Sequence, residues 1–335
     1  MGTIALKVDV DTLRGTLEGV PRLLKILDRR GIRATFLFSL GPDHTGWALR
    51  RALRPGFLSK VSRTSVLKHY GWRTLMYGLL LPGPPIGRNG RAQMQASQAA
   101  GHECGIHAWD HVLWQDNVRR RGDEWTRRQM ALAHRRFEEV FHARPGTHGA
   151  AGWQMNEYAL RQIDAWGMAY ASDCRGEGPF VPCVGSTALR HVQLPTTLPT
   201  MDELIGTGGI DATNVAAALL RRTARDGDQV FTLHAELEGG LLAPAFEALL
   251  DGWRSQGHRL GSLSALYATV KRAALPVREL AWSWVAGRSG TLLVERPQRG
   301  PLELRAPGDA AGRDLHGDER AGHRAEAAGG EIART

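Results

Sequence analysis

Asp9 and Asp11 flank Val10 at the end of the run TIALKVDV. Positions i and i+2 of a strand point the same way, so the two carboxylates emerge side by side, roughly 7 Å apart at the backbone. Aspartate is disfavoured inside strands, which gives the pattern weight, although an isolated Asp-x-Asp also fits a solvated strand end followed by a helix cap. His107 and His111, in GIHAWDH, form the only histidine pair at i, i+4 in the chain. Two imidazoles and a carboxylate are the three protein ligands of a hydrolytic zinc site, which keeps its fourth position for water. With thirteen histidines in the chain such a spacing also arises by chance. His234 closes the run QVFTLHAE, Asp173 follows MAYAS where it could orient a histidine, and Arg175 two residues on could neutralise an anion. A lone histidine at a strand end more often serves structure. Four sets of ionisable groups at four strand ends are a stronger signal than any one of them.

Those groups share a rim only if the strands are parallel, and the periodicity predicts this. Residues 3–10 read as a strand and residues 18–30 as a helix with Val20, Leu23, Leu24 and Leu27 on one face, Pro21 in the first turn and Gly31 as the stop. Residues 34–40 (ATFLFSL) read as a second buried strand, completing a βαβ unit. After a basic interval the rhythm resumes: strands at 105–108, 168–172, 191–194 and 229–234, and helices at 124–141, 157–166, 211–225 and 244–256. The expectation is one α/β domain, an open sheet or a barrel, with its chemistry at the carboxyl ends of the strands. Residues 305–335 are poor in large apolar side chains, and a disordered tail is expected over 301–335.

In this order, VDVD, HAWDH, SDCRG and TLHAE resemble the motifs of the polysaccharide deacetylase family with a NodB-type domain. More closely, KVDVDTLRGTLEGVPRLLKIL, GIHAWDH, AAGW, SDCRG, LPTTLPTMDELIG and TLHAELEG resemble the 4-deoxy-4-formamido-L-arabinose-phosphoundecaprenol deformylases, over about residues 4–293. The resemblance implies a distorted (β/α) barrel of about seven strands over residues 1–300. It implies one divalent metal ion, zinc first and Co, Ni or Mn also compatible, on Asp11, His107 and His111. Asp9 would be the general base, His234 the general acid and Asp173 the residue that tunes that acid, with Arg175, Arg14 and Glu236 contacting substrate. The reaction implied is hydrolysis of the N-formyl amide of an undecaprenyl phosphate-linked sugar to formate and a free amine, a step of lipid A modification and of resistance to cationic antimicrobial peptides. The wider family has adjacent aspartates and an Arg near the AAGW position. Here the pair is Asp-x-Asp and that position offers His148, so the partner of Asp9 is open and Arg175 is a candidate.

The charge distribution fits a lipid-linked substrate. Net charge is +9, and nine cations lie between Asp43 and Glu103, an interval without a single acid. Residues 50–81 interleave these cations with Leu, Phe, Val, Tyr and Trp, as interfacial segments do. An insertion over about 44–92 is therefore expected to meet an anionic membrane surface through Arg50, Arg51, Arg54 and Trp72. Each cation near an anionic leaflet contributes on the order of 1 kcal/mol. Trp282, Trp284 and Val285 are either a second contact or part of a packed helix. No run reads as a signal peptide or a spanning helix, which predicts a cytoplasmic protein peripheral to the inner membrane. The competing readings are a deacetylase of another N-acylated sugar and, from a different class, a basic nucleic-acid-binding protein; the expectation is no nucleic acid.

Overall fold

The computed structural model describes residues 2–48, 72, 74–224 and 227–297. Its first half contains β1 (Thr3–Val10), α1 (Val20–Asp28), β2 (Thr35–Ser39), α2 (Arg91–Ala99), β3 (Glu103–Ala108), α3 (His111–Asn117), α4 (Asp123–Phe141) and α5 (Glu157–Ala165). The second half contains β4 (Tyr170–Ala171), β5 (Val181–Val184), β6 (Thr187–Ala188), β7 (Val192–Gln193), α6 (Val215–Arg222), β8 (Gln229–His234), α7 (Ala243–Ser255), β9 (Arg259–Gly261), β10 (Val277–Trp284) and β11 (Thr291–Pro297). Arg50, Arg51, Arg54 and the expected tail at 301–335 lie outside the described residues.

β1 is the axis of the molecule. It pairs in parallel with β2 on one side and β8 on the other, β2 pairs with β3, and β9 meets the first residues of β1. All eight residues of β1 are buried. Ile4, Leu6, Val8 and Val10 face outward into a core shared with Leu23, Ile26 and Leu27 of α1 and Phe246, Leu249, Leu250 and Trp253 of α7. Burying each such side chain contributes roughly 1.5–3 kcal/mol, which fixes the register of the strand. The opposite face therefore presents Lys7 and Asp9 to the interior. Register sets Asp9 beside Leu37 of β2 and His234 of β8, so the carboxyl ends of these strands form one rim.

The expected helix at 18–30 begins earlier, as a π-turn over Gly15–Gly19 that runs into α1. A Cβ on residue 15 would lie 2.0 Å from Glu236 Oε1, so the wide turn passes against Glu236 only because the residue is glycine.

The seven-stranded barrel is only partly realised. Beside the five-stranded parallel sheet stand a two-stranded parallel piece, β4–β7, and a mixed sheet in the order β11-β10-β5-β6. One or two backbone bonds at each junction join β3, the 147–149 segment, β4, β7 and β8: Ile106 to Thr147 and Gly149 to Ile106, Ser172 to His148, Val192 to Ala169 and Leu194 to Ala171, and Thr197 and Leu198 to Val230. No continuous ladder closes the circuit among the described residues. The chain cannot stay extended there, because Gly152 (φ 61°) and Trp153 (φ 54°) turn into the left-handed region. Residues 277–284, where a packed helix was one expectation, form β10 of an antiparallel hairpin with β11, as the alternation in VRELAWSW favours. Among the described residues no helix is long and apolar enough to cross a membrane.

Candidate active site

Asp11 stands just beyond β1, His107 near the end of β3 and His111 at the first turn of α3, and their ligand atoms all lie within 4.8 Å of one another. His107 Nε2 is 3.2 Å from Asp11 Oδ1 and His111 Nε2 is 3.5 Å from Asp11 Oδ2. Asp110 caps α3 by accepting the Leu113 N–H at 3.0 Å, and its other oxygen meets His44 Nδ1 at 2.5 Å. This pins the helix turn that carries His111.

His107 Nδ1 donates to the Gly149 carbonyl at 2.7 Å, which leaves the Nε2 lone pair facing Asp11 and His111. Such an outer hydrogen bond fixes tautomer and ring orientation at metal sites. A Cβ on residue 149 would fall 2.2 Å from Leu37 Cδ1 and 2.9 Å from Lys7 Cε, so only glycine brings that carbonyl to the ring. Burial pushes the Asp11 carboxyl up, but the imidazoles of His111 and His107 outweigh it and hold the group well below the usual carboxylate range. The donor set of two imidazole nitrogens and one carboxylate fits a divalent transition metal of the zinc type.

Around this triad the structure gathers Asp9, His234 and Glu236. Asp9 is buried, and its Oδ2 lies 3.3 Å from Lys7 Nζ. His234 is level with Asp9 in the β1–β8 register, its Nδ1 buried without a hydrogen-bond partner and its backbone N–H donated to Glu238 Oε2 at 2.8 Å. Burial raises the Glu238 carboxyl to about 7 against the pull of His234, and Asp202 also feels His234. Glu236 Oε1 accepts from the backbone N–H groups of Asp11 (3.1 Å) and Thr12 (2.8 Å) and from the Thr12 hydroxyl (2.8 Å). It clamps the loop that carries Asp11. Burial and the Asp11 charge push its pKa up.

Three expected site residues are engaged elsewhere. Asp173 is fully buried with Oδ1 on His148 Nδ1 at 2.6 Å and Oδ2 on Gln193 Nε2 at 2.7 Å, so the histidine it bonds is His148, while the acids that feel His234 are Asp11, Glu238 and Asp202. Arg175 is buried on Glu203 (2.7 Å) and on the carbonyls of Thr196 and Leu198, and the cation at Asp9 is Lys7. Arg14 pairs with Glu18 at 2.9 Å on the wall of a notch of about 230 Å³ that it shares with Glu236, Gly240 and Leu241. Lys7 was legible as the one charged residue before Asp9 in a β-branched run, at i−2 on the same strand face; Asp202 and Glu238 gave no such signal. Trp72 is 70% exposed.

The chain is 40% identical over 251 residues to a protein of Shewanella sediminis (strain HAW-EB3) described as a probable 4-deoxy-4-formamido-L-arabinose-phosphoundecaprenol deformylase, covering 74% of this chain and 80% of that one. It is 31% identical over 284 residues to a protein of Wigglesworthia glossinidia brevipalpis with the same description, covering 84% and 98%. A structure from Mycobacterium smegmatis assigned to the polysaccharide deacetylases superposes with a TM-score of 0.58 at 19% identity, covering 85% of this chain and 95% of that one. No family model matches the chain.

Proposed function

Because the chain belongs to the NodB-type polysaccharide deacetylase family, we propose that it hydrolyses the N-acyl amide of an amino sugar, and that the acyl group is the formyl of undecaprenyl phosphate-linked 4-deoxy-4-formamido-L-arabinose. The observation that carries the hydrolysis is the convergence of Asp11, His107 and His111 on the rim where Asp9 and His234 stand level. Asp11, His107 and His111 would hold the divalent ion, which when bound would supply Lewis acidity. Asp9 takes the proton of the attacking water through a buried carboxylate. His234 hands a proton to the sugar nitrogen, so that it leaves as a neutral amine rather than an anion. The products are formate and the free amine.

Deacetylation of another N-acylated sugar is the broader reading, and the geometry by itself supports it best. Formyl and acetyl groups share the carbonyl and the bond that breaks, and the triad serves both. The deformylase reading draws instead on the descriptions of the two relatives.

A lipid-linked substrate is favoured by the exposed apolar side chains. Among the described residues the exposed large hydrophobics are Leu17, Trp72, Leu79, Leu80, Leu81, Leu241 and Trp284. All but Trp284 lie in segments leaving the carboxyl ends of β1, β2 and β8, the strands around the metal triad. With the basic interval they would seat the rim on the anionic cytoplasmic leaflet as a peripheral contact. The test is mass spectrometry of matched polyprenyl phosphate sugars, one formamido and one acetamido, incubated with enzyme and zinc, cobalt, nickel or manganese. Loss of formyl alone supports the proposal, loss of acetyl alone favours the broader reading, and loss of neither refutes both.

A further inference from the structure

We infer that Lys7 is the positioning residue for Asp9, pinning one carboxylate oxygen so that the other is left to receive a proton. The inference rests on the reading of Asp9 as the general base. Lys7 is fully buried in the middle of β1, and its ammonium lies 3.3 Å from Asp9 Oδ2. Among the described residues Asp9 is the one carboxylate within ion-pair distance of it. Asp9 Oδ1 is buried without a hydrogen-bond partner, 3.8 Å from His107 Nδ1, and the Lys7 ammonium makes no hydrogen bond either, so its hold on Oδ2 is the ion pair alone.

Desolvating an ammonium in a parallel strand is strongly unfavourable, and a position required only for packing would be better filled by methionine or leucine. The surroundings instead hold the cation in one place. Its stem passes residue 149 so closely that a Cβ there would lie 2.9 Å from Lys7 Cε. Its ammonium sits 5.4 Å from the ring centroid of Trp153. Trp153 is itself buried, keeps a positive φ of 54° and donates its indole N–H to Thr196 Oγ1 at 3.0 Å. Strand alternation places Lys7, Asp9 and Asp11 in a row on one face, cation, base and metal ligand in that order. Arg175 is unavailable for the task because Glu203 holds it.

A double-mutant cycle of Lys7→Met and Asp9→Asn tests this, with zinc affinity, kcat and KM measured for each protein. Lys7→Met should lower kcat by about 10²-fold, the usual loss for a proton-transfer group, with KM little changed. In the Asp9→Asn background the same substitution should cost almost nothing, because Lys7 acts only through Asp9. Lys7→Met strands the Asp9 charge, but the double variant removes both charges and so keeps the measurement possible if the single variant folds poorly. Zinc affinity needs no substrate, and it should hold or rise in Lys7→Met because a cation near the site is removed. A tenfold loss of zinc affinity would mark Lys7 as scaffolding for the triad and overturn the inference, as would equal losses of kcat in both backgrounds. A wild-type rate in Asp9→Asn refutes the base assignment instead. Wild-type inactivity on the formamido lipid refutes only that substrate, and the cycle then runs on the N-acetyl sugar.

Discussion

Glu236 offers the sharpest test of how the metal centre is built. The sequence suggested a substrate contact, whereas the structure gives its Oε1 three donors, two of them backbone N–H groups of the Asp11 loop. Glu236→Ala leaves those donors without an acceptor in a buried setting. At about 1–3 kcal/mol for each of the three stranded groups, the loss is on the order of 3–9 kcal/mol, divided between global stability and the ordering of Asp11. Loosening the support of a metal ligand lowers metal affinity by about 10–100-fold. Glu236→Gln behaves differently, because burial and the Asp11 charge raise the carboxyl and favour its neutral form, which an amide imitates while keeping the Oε1 acceptor. Zinc affinity measured by chelator competition, with urea unfolding in parallel, should therefore place Gln near wild type and Ala far below it. Wild-type zinc affinity and stability in Glu236→Ala would refute the clamp. Raised KM in Glu236→Gln with metal binding intact would restore the substrate-contact role.

Asp11→Ala, His107→Ala and His111→Ala should each abolish zinc binding measured on the purified protein while the fold survives, and full occupancy in any of them removes that residue from the ligand set. His234→Ala should retain zinc and lose about 10²-fold or more in kcat. His102 is held neutral, chiefly by burial and then by Arg33, with its pKa lowered to about 4. As pH falls from about 6.5 the unfolded chain gains a proton that the native ring refuses until near 4, so stability should fall across that window, and urea unfolding of His102→Gln should show a shallower slope. Replacing Arg50, Arg51 and Arg54 with Gln, or Leu17 and Leu241 with Ser, should weaken co-sedimentation with anionic liposomes and leave zinc affinity unchanged; undiminished binding in both sets rejects the membrane contact.

The parts of the fold that periodicity revealed are those buried against one large core. β1, β2 and β8 and helices α1, α4 and α7 carry strong apolar patterns because each must cover a sheet or be covered by a helix. β4 and β7 have two residues each, too few for a pattern, and their places are set by a few backbone bonds to neighbours distant in sequence. The hairpin of β10 and β11 alternates tryptophans with polar residues, and the expectation there weighed the tryptophans as anchors or helix packing rather than as one face of a strand. Trp282 in fact lies under Arg119, with its ring centroid 4.6 Å from the guanidinium carbon.

The metal triad was legible because Asp11 and His107 sit at strand ends and His111 follows His107 at a fixed spacing, and parallel pairing then forces those ends together. The supports of the triad were not legible, since they depend on tertiary approach. Nothing local to residue 149 marks its carbonyl as the partner of His107, and that contact exists only because the glycine admits Leu37 and the Lys7 stem. Asp173 was expected at a strand end beside a histidine, but several histidines are reachable from one rim and sequence order does not rank them; the one it bonds is His148. His148 is brought there by the bond from Ser172 to its carbonyl, which sets the two segments side by side. The same logic explains Lys7. A cation two residues before Asp9 on a buried strand has no solvent to reach, so the carboxylate beside it is the partner the strand itself provides.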